Sequence, residues 1–117
     1  MKKKLLTLTL LTALIGIPLG LYAVASGSLS ADGNTDINWT RGNRGTLSFS
    51  GDFGGGTITV LYLVGDTYVA FVDSAGAAIS YTDDGGFEFV TWSNSIRITL
   101  SGATSPDIDY HIGRTND

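Results

Sequence analysis

The sequence predicts an all-β fold: a single antiparallel β-sandwich of about eight strands, jelly-roll or immunoglobulin-like, behind an apolar N-terminal extension. Three observations lead there. Beyond residue 25, apolar and polar residues alternate with a period of two in run after run. Glycine is 16 of 117 residues, roughly twice its usual share, while proline is only 2, a composition of tight turns rather than of disorder. Turn formers recur at spacings of roughly 8–12 residues, and no amphipathic helical period appears after residue 25. The length is that of one domain, divided here into an extension over residues 1–25 and a sandwich over residues 26–117.

The extension comes first. Lys2, Lys3 and Lys4 precede a run without charge up to Asp32, and Ala23-Val24-Ala25 stands before Ser26. A basic start, an apolar centre and a small-residue cleavage site are the parts of an export signal. The same residues read equally as a retained arm that buries Leu5, Leu6, Leu8, Leu10, Leu11, Leu14, Ile15 and Ile17 against a partner, with Thr7-Leu8-Thr9-Leu10 suited to adding a strand to a neighbour. Leu5 to Ala25 is 21 residues, near the roughly 20 needed to span a bilayer, but Gly16, Pro18 and Gly20 make it a poor membrane helix.

The strands follow. Ile37 and Trp39 alternate with Asp36, Asn38 and Thr40, and Leu47 and Phe49 with Ser48 and Ser50. Thr57 to Val64 and Tyr68 to Val72 are apolar on both faces, which suits central strands or strands covered by a partner. Phe87 and Phe89 face opposite to Glu88, Val90 and Trp92. Ile96, Ile98 and Leu100 alternate with Arg97 and Thr99, and Ile108, Tyr110 and Ile112 with Asp107, Asp109 and His111. Glycine, asparagine and aspartate punctuate these runs at Asp32-Gly33-Asn34, Gly42-Asn43, Gly51 to Gly56, Gly65-Asp66, Ser74-Ala75-Gly76, Ser93-Asn94 and Ser105-Pro106. Asp83-Asp84-Gly85-Gly86 is expected to be a hairpin turn.

Charge and composition exclude several functions. From Ser26 onward four arginines stand against eleven acids, a net of −7, so the domain repels phosphate and no nucleic acid is expected as a partner. With no cysteine there is no disulfide, thiolate metal site or thiol nucleophile. The glycine-rich stretch Gly51 to Gly56 lacks the lysine and the following helix of a phosphate cradle, and no Gly-x-Ser-x-Gly elbow exists. No catalytic residue and no cofactor is expected. His111 shares a strand face with Asp107 and Asp109, a pattern that could hold a divalent cation, although such a site needs ligands from a second segment. Core packing accounts for most aromatics; Trp92, beside the Ser93-Asn94 turn, is the one placed to stack on a sugar ring.

Three segments carry a family resemblance. Ala25-Ser26-Gly27-Ser28-Leu29-Ser30-Ala31-Asp32-Gly33-Asn34-Thr35-Asp36 resembles the opening of small β-sandwich virion proteins of tailed bacteriophages. The stretch from Gly45 to Val60, with its Gly54-Gly55-Gly56-Thr57-Ile58-Thr59-Val60 core, and the stretch from Ile96 to Thr104 resemble their middle and late strands. The likeness implies a capsid decoration, head-fibre or tail component that binds other virion subunits (major capsid or tail proteins) and copies of itself by shape. Two departures stand out: Val64-Gly65-Asp66-Thr67-Tyr68 replaces the acidic, tryptophan-containing turn of those proteins, and the apolar segment before residue 25 is unusual among them. The alternative is a secreted or cell-surface bacterial binding module, in which residues 1–25 meet a membrane only during export.

Overall fold

Nested pairing organises the chain. The computed structural model describes residues 23–115, and within them nine strands and no helix: β1 (Ala23–Leu29), β2 (Gly33–Asn38), β3 (Arg44–Asp52), β4 (Thr57–Val64), β5 (Thr67–Ala70), β6 (Ser80–Tyr81), β7 (Gly85–Val90), β8 (Ser95–Ser101) and β9 (Asp107–Arg114). Strand β1 pairs with β9, β2 with β8, β3 with β7, and β4 with β5 and β6, all antiparallel. The chain is thus one long hairpin whose centre is the β4–β5 turn. Rolling that hairpin sets β9 against β3 and β8 against β4. Two sheets result, ordered β1-β9-β3-β7 and β2-β8-β4-β5, with β6 also on β4.

This order decides between the two sandwich types. An immunoglobulin-like sandwich sets consecutive strands side by side. Here β4 and β5 are the only consecutive strands that pair among the described residues, and the topology is a jelly roll.

The alternation predicted from sequence fixes which face is buried. Ile96, Ile98 and Leu100 of β8 and Ile108, Tyr110 and Ile112 of β9 point inward, as do Leu47 and Phe49 of β3 and Ile58 and Val60 of β4. Each such side chain contributes about 1.5–3 kcal/mol by leaving water. Aromatic rings close the core toward one end: Trp39 lies 5.0 Å from Phe89, and Phe71 lies 4.7 Å from Tyr62 and 5.4 Å from Phe89. Gly45 is buried because the Trp39 ring occupies the place of a side chain there; a Cβ would overlap the indole.

Two expectations need correction. Asp83 to Gly86 is not a hairpin turn, because β6 pairs with β4 in one sheet and β7 with β3 in the other; the segment crosses between the sheets. Of the two doubly apolar runs, Thr57 to Val64 is the central β4, whereas Tyr68 to Val72 is a sheet edge that leaves its strand after Ala70. Edge position explains why Val69 and Val72 stay exposed while Phe71 turns into the core. The charged face of β9 lies inside its sheet, since β9 is flanked by β1 and β3. The outer side of β4 and β5 is covered from within: the Arg97 guanidinium sits 3.8 Å above the Tyr68 ring, and the Tyr68 hydroxyl bonds Ser95 Oγ at 2.8 Å.

Candidate functional site

The registers bring three connections to one end of the sandwich. These are the turn after β2 (residues 40–43), the β4–β5 turn at Gly65-Asp66, and the segment between β7 and β8 (residues 91–94). The start of β1 and the close of β9 lie at the same end. A groove of about 770 Å³ opens there, with Val64, Val72, Val90 and Trp92 on its apolar walls and Arg41 as its only charged lining residue.

Trp92 dominates this groove. It is 78% exposed, the most exposed large hydrophobic among the described residues. Its backbone is nonetheless fixed. Residues 91 to 94 alternate, with Thr91 and Ser93 buried and Trp92 and Asn94 outward. Thr91 carbonyl accepts the Gly42 N–H at 2.8 Å, and Asn94 carbonyl accepts the Trp39 N–H at 2.9 Å. Ser93 Oγ accepts the N–H groups of Leu63 and Ser95, both at 3.1 Å, and donates to the Ser95 carbonyl at 2.9 Å. Gly42, at φ 80°, backs the indole so closely that a Cβ would stand 3.2 Å from two ring carbons. An exposed tryptophan on so constrained a backbone presents a preformed apolar plane.

The remaining predicted site residues distribute differently. Asp107, Asp109 and His111 all lie on the exposed face of β9, as the alternation requires. Their cross-strand neighbours are hydroxyls and one acid: His111 faces Ser26 and Ser48, Asp109 faces Ser28 and Ser50, and Asp107 faces Asp52. Ser28 Oγ donates to Asp109 Oδ1 at 3.1 Å. Among the described residues no three metal-ligating side chains converge, and the neighbouring strands add only Asp52, beside Asp107, to the cation pattern. Leu5, Leu6, Leu8, Leu10, Leu11, Leu14, Ile15 and Ile17 lie outside the described residues.

Trp92 was legible in sequence as an outward aromatic beside a turn. Arg41, Val64 and Val72 were not, because they come from separate turns and an edge that meet only after the hairpin is rolled. The signal that could have joined them is strand direction: with β5 and β6 both running antiparallel to β4 and so counted as one crossing, the turns after β2 and β4 and the link after β7 fall at one end.

No family model and no curated protein matches the chain. Among solved structures, a de novo designed double-stranded β-helix determined by solution NMR is similar, with 12% identity, a TM-score of 0.44, and coverage of 78% of this chain and 96% of that one. A likeness of that degree carries no argument about function.

Proposed function

We propose that the chain is a non-enzymatic structural component of a bacteriophage particle, a capsid-decoration or similar surface subunit that docks on other virion subunits and on its own copies through the N-terminal arm and the sandwich. The observation that carries this reading is the entry of β1. Ala23 pairs with Gly113 and Ala25 with Ile112, so a cut after Ala25 would remove the first residues of a paired strand. That register supports a retained segment over a discarded export signal. The core adds to it. Among the described residues its buried apolar members run from Leu29 to Ile112 and come from both sheets. The resemblance of the segments from Ala25, Gly45 and Ile96 supplies the kind of partner.

The intact mass of the protein in purified particles tests the reading. Retention of Lys2, Lys3 and Lys4 is expected; a mass lacking residues 1–25, or absence from particles, overturns it. Deletion of residues 2–22 is expected to leave a folded domain that no longer joins particles, read by circular dichroism and by particle composition. Normal incorporation of that deletion would refute a docking role for the arm.

A further inference from the structure

We infer that the groove under Trp92 is a saccharide site, and that its ligand is a pyranose carrying a carboxylate, as in a uronic-acid polymer. The inference goes beyond the particle assignment and does not depend on it. Its first support is the indole. The weakly positive C–H edges on one face of a sugar ring pair with the negative face of an aromatic plane, and Trp92 offers such a plane. The hydrogen bonds of Thr91, Ser93 and Asn94 and the backing of Gly42 hold it in place before any ligand arrives, so little ordering entropy is lost on binding. Around it the groove mixes apolar walls at Val64 and Val72 with the polar Asn94, a lining suited to a molecule that is apolar on its ring faces and polar on its rim.

Charge selects the carboxylate. Arg41 has no ion-pair partner among the described residues and lines the groove beside the glycine that backs Trp92. A guanidinium binds a carboxylate through two parallel N–H groups with both partners charged, whereas the hydroxyls of a neutral sugar offer it only uncharged acceptors and a weaker contact. The selection is local: Arg41 is the only charged residue lining the groove, and Asp66 in the β4–β5 turn lies at the same end outside that lining. Arg41 also disfavours a second copy as occupant. A two-fold contact through the groove would set Arg41 toward its counterpart, and among the described residues the far end offers no large exposed hydrophobic to a head-to-tail contact.

Tryptophan fluorescence reads the site directly, because Trp39 is 5% exposed and a ligand-induced blue shift must come from Trp92. The full-length protein is titrated with oligogalacturonate and, separately, with a neutral cello-oligosaccharide of equal length. Saturable binding of the acidic probe is expected, weakening by roughly tenfold or more in Trp92→Ala. Arg41→Ala is expected to lower affinity for the acidic probe by roughly tenfold and leave the neutral one unchanged. Both positions are exposed, so an unchanged melting curve separates lost binding from lost folding. Binding of neither probe overturns the proposal, as does undiminished binding by Trp92→Ala. Equal affinity for both probes overturns the carboxylate assignment. Self-association abolished by Trp92→Ala, or binding that appears only after deletion of residues 2–22, assigns the groove to a second copy or to the chain's own N-terminal segment instead.

Discussion

The aspartates explain the acidity of this domain at the scale of single residues. Asp32 accepts the N–H groups of Gly102 and Ala103, Asp52 that of Gly54, Asp73 those of Ala75 and Ala77, Asp83 that of Asp84, and Asp84 that of Gly51. Short carboxylates of this kind hold turns whose backbone donors have no strand partner. The net charge read from sequence does not show this structural use, because spacing alone does not reveal which amide a carboxylate meets. Asp32→Ala removes two acceptors that join the β1–β2 turn to the β8–β9 turn and is expected to cost about 1–2 kcal/mol in urea unfolding. Asp36 differs, since it grips Arg97 through Oδ1 at 2.7 Å and Oδ2 at 3.0 Å. That hydrogen bond, with the attraction of the guanidinium, holds its carboxyl below the usual carboxylate range. A depressed folded-state value stabilises the fold above the unfolded value near ~3.9 and is lost as pH falls through the folded one. Asp36→Asn is expected to flatten the acid limb of a melting-temperature profile while changing little at pH 7, as befits an exposed pair.

Among the elements, the strongly alternating strands were the legible ones. β8 and β9 alternate polar residues with Ile96, Ile98 and Leu100 and with Ile108, Tyr110 and Ile112, and their buried faces follow directly. The run from Tyr68 to Val72 was not legible, because an edge strand and a central one share the same apolar composition and differ only in what lies beside them. Likewise, Asp83 to Gly86 carries the residues of a hairpin turn whether it reverses within a sheet or crosses between two. Packing at the element scale gives a sharp expectation. Ile98, fully buried between β2 and β4, should cost about 2–5 kcal/mol when truncated to alanine. Gly45→Ala should cost as much or more despite adding only a methyl group, because the Trp39 indole fills its place. Equal stability of the two glycine and alanine forms in urea unfolding would contradict that packing.

For the whole molecule, the sequence carried the class of fold but not its winding. Nothing in the spacing of the strands distinguishes a rolled hairpin from consecutive hairpins, since both use the same alternation and similar turns. The gathering of Arg41, Val64, Val72 and Trp92 around one groove was equally hidden, for it arises only once the roll assigns each turn to an end. Winding has a further consequence, one of order in time. β1 pairs only with β9 among the described strands, and β9 is the last of these to be made. On a ribosome moving at about 5–20 residues per second, β1 waits several seconds for that neighbour. A chain stopped at Ser105 is expected to lose cooperative unfolding and to bind a hydrophobic dye, because β1 and β3 would both lack their shared neighbour. The nascent chain is therefore most vulnerable at its beginning, and it stays so until its end has been synthesised.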